Sequence, residues 1–502
     1  MNQIRIGALI SYASLFLNVI TGLLFTPWMI NTIGKEDYGL YTLAMSVISL
    51  FVFDFGLGSA ITRFVSKYLS ENRQDLVDKL LGMVFKLYLL GDITILVSLS
   101  IVYFFLPSMY QGLTSTEMID FKIVFLIAAL FCVISFPFIP LNGILTSYEK
   151  FIQLKSCDLI HKILVIVLMT ICLVCGGGLF SLVIVNSIAG IVIILLKLAV
   201  LGRKRLHTIE WHYKDRSLLK AILSFSIWVT IIQLAQRCIF NISPSILAVY
   251  SNAASLSILG VAICLEGYTY TFANAINGMF LPKVSRMIAS NNRDEILRLM
   301  IRVGRLQIYI IGLICVGFIC TGKDFIYAWL GEDFCEIYPC ALLIILPSFL
   351  QLPQEIGSTT IIAEGKVKLQ AYAFLTMAIV NLILAFPLSK HFGIIGLCTS
   401  IMLAYLLRTI LMDIILYKEL KIKISVFFRE SYVRILPSIV VATIATLVAI
   451  SAIPFWGWLA FASKAAACVL IYSLCVFCLA MNSEEKGLII SPIKMVLRRF
   501  SR

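Results

Sequence analysis

Long apolar stretches recur from one end of the chain to the other, separated by short polar connections. A bilayer core about 30 Å thick takes roughly 20 apolar residues as a helix. Stretches of that length run over Gly7–Ile33, Tyr38–Thr62, Leu80–Leu106, Phe121–Leu145, Cys157–Cys175, Leu179–Leu201 and Ala221–Tyr250. They continue over Ala253–Leu281, Val303–Cys320, Ile337–Ala363, Leu369–Leu388, Gly393–Tyr417, Tyr432–Ile453 and Trp456–Met481. The pattern predicts an all-α, polytopic membrane protein of about fourteen transmembrane helices.

The polar connections alternate in charge. Arg63, Lys67, Arg73 and Lys79 crowd one; Arg203, Lys204 and Arg205, Lys283 to Arg305, and Lys418 to Arg434 crowd others of the same set. The intervening connections hold almost none: Lys35, Lys323 and Lys390, with no basic residue in Pro107–Thr116 or Cys175–Leu179. Basic loops stay in the cytoplasm, so this rhythm predicts a chain threaded repeatedly through the membrane with both termini inside. In a bacterium that is the cytoplasmic (inner) membrane.

Composition agrees: the 502 residues are 60% hydrophobic and 14% charged, with a mean hydropathy of +0.98, outside the soluble range. The net charge of +14 is spread over short loops and a tail, which fits the anionic inner leaflet and argues against nucleic acid. The first apolar run is too long for the core of a removable leader and reads as the first membrane helix. Most of the 14 cysteines lie in apolar runs, where Cys acts as a small hydrophobe; Cys335 and Cys340, in an outward connection, are the pair able to meet as a disulfide.

A repeat divides the chain. Ser70-Glu71-Asn72-Arg73-Gln74-Asp75 after the second span is answered by Ser290-Asn291-Asn292-Arg293-Asp294-Glu295 after the eighth, an offset of 220 residues. Thr26-Pro27 near the end of the first span is answered by Ser243-Pro244 near the end of the seventh. Six spans separate the copies, so the halves share an orientation, with a pseudo-twofold axis along the membrane normal. The expected organisation is a six-helix lobe over 1–201, a cytoplasmic linker over 202–220, a second six-helix lobe over 221–417, and two extra helices with a basic tail over 418–502.

The start of the chain, Thr26-Pro27, Ile33-Gly34-Lys35-Glu36-Asp37-Tyr38-Gly39-Leu40-Tyr41, Asp54-Phe55-Gly56-Leu57-Gly58 and Arg63-Phe64-Val65-Ser66-Lys67-Tyr68, resembles the polysaccharide-flippase (Wzx-like) branch of the multidrug/oligosaccharidyl-lipid/polysaccharide exporter superfamily. Helix count and the 6+6+2 layout extend the resemblance over the chain. It implies a MATE-like pair of lobes that moves an undecaprenyl-diphosphate-linked oligosaccharide between leaflets by alternating access, with membrane lipid and polysaccharide assembly proteins as further partners.

A charge at bilayer depth costs at least about 2.5–3.5 kcal/mol on insertion scales, so each needs a partner or a wet cavity. Arg237 and Glu266 lie at equal distances from a tight hairpin near Asn252, hence at one depth. They read either as a pair that neutralises itself or as a cleft-facing pair, with Arg237 meeting a diphosphate and Glu266 exchanging H+ or Na+. Gln233, Gln236 and Asn241 share the span of Arg237 and suggest a wet face. Arg63, Lys283 and Arg408 are further candidates for the anionic headgroup; Asp54, Asp92 and Glu355 for ion coupling or charge pairing. Tyr268, Tyr270 and Asn274 are candidates for lining the cleft or meeting sugar. Glu355 follows Pro347 and Pro353, a broken stretch able to open backbone carbonyls to a cavity. Lys464 either touches a lipid phosphate or snorkels.

Gly317 to Lys323 has phosphate-loop spacing, but Asp324 stands where Ser or Thr is needed. With no metal cluster or nucleophile motif, the sequence predicts a transporter without cofactor, driven by an ion gradient (H+ or Na+), the membrane potential or a substrate gradient, and no enzyme. A cation-coupled multidrug exporter of the same fold and a membrane glycosyltransferase or polymerase are the competing readings; cationic residues inside the spans oppose the first, and short outward loops the second.

Overall fold

The computed structural model describes residues 21–51, 56–148, 150–202, 215–277, 284, 287–288, 293–364, 366–453 and 457–487, with some side chains among them excepted. The described residues are helical throughout, with no strand. The chain divides into two compact units, Met1–Ile263 with Val367–Ala404, and Cys264–Lys366 with Tyr405–Arg502.

The first unit begins with α1 (21–33), α2 (Lys35–Phe51), α3 (Leu57–Ser70), α4 (Gln74–Met109), α5 (Ser115–Ser135) and α6 (Pro140–Ser147). Then come α7 (Phe151–Val174), α8 (Leu179–Leu201), α9 (Arg216–Phe240), α10 (Ser243–Tyr250) and the first part of α11 (Ala253–Asn277). Local chemistry sets several of these starts. Thr114 and Glu117 form a reciprocal capping box at α5, satisfying donors that would otherwise be orphaned in the first turn. Asp215 accepts from the amides of Ser217 and Leu218 at α9. Pro137 and Pro140, which lack the amide needed mid-helix, break the fourth span into α5, a 3-10 turn (Phe136–Phe138) and α6.

Small residues let helices approach. A Cβ at Gly39 would lie 1.9 Å from the carbonyl oxygen of Ala253, so α2 and α11 touch backbone to backbone. Gly112 meets the Ser251 carbonyl in the same way, at 2.3 Å. Gly39 sits in the opening motif, and its role is close helix packing. Leu40, Leu43, Leu80, Tyr88, Phe121 and Phe125 fill the core, while Leu90, Phe104, Leu126 and Val174 stay exposed, as suits faces turned to hydrocarbon.

The second unit holds the rest of α11, α12 (Arg293–Leu330), α13 (Ile337–Gln351) and α14 (Glu355–Ala363). A single long helical stretch, Val367–Lys418, is two helices, α15 (367–392) and α16 (394–418), turned at Gly393 with φ 57°. The unit boundary falls within α16, after Ala404. α17 (Ile424–Phe428) passes through a π turn (Arg429–Val433) into α18 (Arg434–Ser451), and α19 (Trp458–Cys475) ends in a second π turn (Val476–Ala480) before a short helix, α20 (483–487). The broken stretch expected around Pro347 and Pro353 falls at Leu352–Gln354, a 3-10 turn carrying Pro353; Pro347 stays inside α13.

Eleven described stretches are long and apolar enough to cross a membrane. Dividing Val367–Lys418 at Gly393 gives twelve among the described residues; the described parts of the first two predicted spans are α1, and α2 with the start of α3. One expectation is corrected: α12 runs about 57 Å at 1.5 Å per residue, well past its predicted span at both ends. It absorbs Arg293–Arg302 and Thr321–Leu330, so the connection to α13 shrinks to 331–336. Cys335 and Cys340 are free thiols, as are the other cysteines.

Candidate functional site

In the first unit the polar stripe of α9 faces α2. The Arg237 guanidinium donates to the Ser49 carbonyl, and the Asn241 side-chain amide donates to the Ser49 hydroxyl. Gln233 and Arg237 are half-buried and Gln236 is exposed. This anchor to α2 orients the guanidinium, which has five donors in a fixed fork. On α4, Asp92 is half-buried, and its Oδ1 is buried without a hydrogen-bond partner among the described residues. An unpartnered buried carboxylate oxygen is costly and marks a place for a proton or an unseen donor. Beside α4 a lateral cavity of about 680 Å³ opens among α2, α3 and α9, lined by aliphatic side chains with the hydroxyls of Thr94, Ser98, Ser226 and Thr230.

The second unit has a polar core. Glu266 on α11 is only 7% exposed and accepts a hydrogen bond from the Ser348 hydroxyl of α13. Tyr405 on α16 lies within electrostatic reach of Glu266, Arg408 and Tyr270. Arg408 is buried, and its positive charge acts on Glu355, which also accepts from the Ser358 hydroxyl. Asp413, one and a half turns beyond Arg408, accepts from Gln354, and its Oδ1 has no partner among the described residues. The broken span supplies Gln354, Glu355 and Ser358, so the 3-10 turn at Pro353 aims three polar side chains inward. A small cavity of about 10 Å³, lined by Gln351, Gln354, Ser358, Arg408 and Thr409, has room for about one water. The core thus carries three carboxyl groups against one guanidinium at membrane depth, an imbalance relieved by binding a proton or a cation.

The sequence candidates fall as follows. Arg237, Gln233, Gln236, Asn241 and Asp92 belong to the first unit, and Glu266, Glu355 and Arg408 to the second. Tyr268 is hydrogen-bonded to Cys264 one turn back on α11, and Tyr270 is 40% exposed. Arg63 lies on α3 and Asn274 on α11, their side chains outside the described set; Asp54 and Lys283 lie outside the described residues altogether. No group of three His, Cys, Asp or Glu able to hold a metal occurs among the described residues.

Three charge networks escaped the sequence reading. Arg305, grouped there with the basic loops, is 5% exposed and ion-paired: Nε to Glu485 Oε1 at 2.6 Å and Nη2 to Oε2 at 2.9 Å. It also donates to the carbonyls of Glu430 at 2.7 Å and Ala480 at 2.9 Å, one in each π turn, where widened backbone frees acceptors. The Lys464 Nζ meets Asp324 Oδ1 on α12 at 2.9 Å, an ion pair that the sequence reading did not include. Lys197 on α8 bonds Asn142 at 2.9 Å and Asp158 at 3.4 Å. Only the Glu485 contact had a local signal: Asn482-Ser483-Glu484-Glu485 is a capping box, with Asn482 N to Glu485 Oε2 at 3.0 Å and Glu485 N to Asn482 Oδ1 at 2.9 Å.

These features define a multi-pass, all-helical membrane protein with polar clusters inside its spans. The family described as "Polysaccharide biosynthesis protein" matches residues 5–288, more than half of the chain, and the protein belongs to that family. The fold is similar to that of lipid II flippase MurJ in an inward closed conformation, with a TM-score of 0.68 at 17% identity over 93% of this chain and 97% of that one. It is similar as well to an inward-facing multidrug resistance MATE family transporter of the MOP superfamily, with a TM-score of 0.68 at 13% identity over 84% of this chain and 99% of that one. A point mutant of the Vibrio cholerae MATE transporter VcmN aligns with a TM-score of 0.58 at 15% identity over 83% of this chain and 98% of that one. No curated protein matches the sequence.

Proposed function

We propose that this protein flips an undecaprenyl-diphosphate-linked oligosaccharide from the inner to the outer leaflet of the bacterial cytoplasmic membrane, for O-antigen, capsule or exopolysaccharide assembly. The observation that carries the reading is Arg237, a half-buried guanidinium in a membrane span, held by α2 and flanked by Gln233, Gln236 and Asn241. A fixed fork of donors suits a diphosphate, because it stays charged and binds phosphate oxygens in pairs. Membership of the polysaccharide biosynthesis family supports a glycan substrate, and likeness to a protein named lipid II flippase supports a lipid-linked one.

In this reading the two repeat lobes, 1–201 and 221–417, rock about the site, with 202–220 as linker, 418–502 as two added helices and a basic tail, and both termini in the cytoplasm. Arg63, Lys283 and Arg408 assist with the headgroup. Tyr268, Tyr270 and Asn274 line the sugar path. Glu266 and Glu355, with Asp92 and Asp54, take up H+ or Na+ and tie transport to an ion gradient. Polysaccharide assembly proteins receive the product; no chemical step is catalysed.

A cation-coupled multidrug exporter of the same fold is the second reading, and the acidic surplus around Glu266, Glu355 and Asp413 favours it. Deleting the gene separates the two. A flippase deletion accumulates lipid-linked sugar units on the inner leaflet; an exporter deletion leaves their distribution unchanged and sensitises the cell to cationic drugs.

A further inference from the structure

The second unit carries a groove outside the polar core described above. On α12, Arg298, Arg302, Leu306, Ile310 and Leu313 follow one another at three- and four-residue steps and so form one stripe. On α19, the π turn after it and the residue that follows, Leu470, Leu474, Phe477 and Met481 form another. Between the stripes lie two cavities. The one at the α12 start has a volume of about 290 Å³ and is walled by Arg298, Arg302, Glu484 and the Arg305–Glu485 pair. The next, about 570 Å³, is apolar and is lined by Ile310, Leu313, Leu470, Leu474, Phe477 and Met481.

From this geometry we infer that the groove binds one anionic phospholipid of the leaflet at the basic end of α12, its phosphate on Arg298 and Arg302 and an acyl chain on the apolar floor. Three observations fix the occupant. The mouth lies at the end that the basic loops assign to the cytoplasm, and it has two exposed arginines against one free carboxylate, Glu484, because Arg305 and Glu485 neutralise each other. Neither Arg298 nor Arg302 has an ion-pair partner among the described residues. The floor opens to hydrocarbon, since Ile310 is 41%, Leu470 70% and Leu474 64% exposed. From Arg302 to Leu313 the stripe rises about 16 Å, close to half of a 30 Å bilayer core. A single leaflet's acyl chain fits that length. The Arg305–Glu485 pair holds the two walls together at the junction of head and tail.

The test is native mass spectrometry of the whole protein released from detergent micelles containing phosphatidylglycerol, phosphatidylcholine or undecaprenyl phosphate. The wild type is expected to retain one phosphatidylglycerol, and to prefer it over phosphatidylcholine roughly thirty-fold, the effect of two interfacial arginines. The Arg298→Ala/Arg302→Ala variant, altered only at exposed side chains, loses that preference. Arg298→Lys/Arg302→Lys keeps most of it, and Ile310→Trp, which fills the floor, loses retention of both phospholipids. Equal retention of the two phospholipids by the wild type, or unchanged preference in the double alanine variant, overturns the site. Displacement of phosphatidylglycerol by an equal concentration of undecaprenyl phosphate overturns the choice of occupant.

Discussion

Replacing Glu485 by Ala leaves the Arg305 guanidinium buried among the Glu430 and Ala480 carbonyls and the Tyr309 hydroxyl, without its counter-charge. Removing one partner of a buried pair costs about 3–5 kcal/mol, and losing the α20 cap adds about 1 kcal/mol. The unit concerned has about 200 residues, for which each kcal/mol moves a melting point by roughly 2–4 °C. A drop on the order of 10 °C in a fluorescence-detected melt in detergent is therefore expected. Arg305→Met produces a similar drop, and the double variant Arg305→Met/Glu485→Leu recovers much of it, because no bare charge remains. Acid supplies an independent readout. Burial alone would raise the Glu485 carboxyl, but hydrogen bonds from Arg305, the Asn482 amide and Tyr309 outweigh it and hold the group below its usual range. A depressed carboxyl stabilises the fold fully above its unfolded value, about 4.3, and that contribution disappears as pH falls through the lower folded value. The gap between wild type and Glu485→Ala should narrow over that window. A Glu485→Ala melt within about 1 °C of wild type at pH 7, the scale of an ordinary surface change, would refute the reasoning.

The remaining predictions concern transport and packing. Arg237→Ala is expected to lower glycan export at least about tenfold, the loss of one charge-assisted hydrogen bond, with normal membrane insertion, whereas Arg237→Lys retains part; normal export by the alanine variant removes Arg237 from the mechanism. Glu266→Gln should abolish the dependence of transport on H+ or Na+, measured as flipping rate against imposed gradients; an unchanged response moves coupling elsewhere. Gly39→Ala puts a methyl group against the Ala253 carbonyl and should destabilise the first unit by about 1–3 kcal/mol, seen as a lower melting point; wild-type stability would mean that α2 and α11 separate without cost. Lys464→Met leaves Asp324 partly buried without its ion-pair partner and should lower the melting point, with Lys464→Met/Asp324→Leu recovering it.

Fold class was legible because lipid imposes one rule on sequence: long apolar runs with few charges, punctuated by basic loops. The hairpin at Gly393 and the break at Pro353 were legible for equally local reasons, a glycine able to take a positive φ and a proline without an amide. Helix ends were not. Apolar content marks where α12 meets hydrocarbon, but the helix continues through Arg293–Arg302, where charges alternate with Leu and Met, and through Thr321–Leu330, where Lys323 and Asp324 interrupt the apolar run. The charge networks were also hidden. Arg305 and Glu485 are 180 residues apart, and Lys464 and Asp324 140; only packing brings them together, so Arg305 looked like one more loop cation. In the polar core, Glu266, Glu355 and Arg408 stood out singly as charges in apolar runs. Their association through Ser348, Ser358 and Tyr405 depends on how α11, α13, α14 and α16 pack. Asp413 is likewise a charge in an apolar run, but its partner Gln354 carries no such signal.

The central claim is that a diphosphate-bearing glycolipid crosses the membrane through this protein. The direct measurement reconstitutes the protein in vesicles, adds an undecaprenyl-diphosphate oligosaccharide to one leaflet, imposes an H+ or Na+ gradient, and follows sugar accessibility to an impermeant oxidant. Transfer to the opposite leaflet that requires the protein and fails with Arg237→Ala is the predicted result. The same leaflet distribution with and without protein, or gradient-driven movement of a cationic drug in place of the glycolipid, would contradict it.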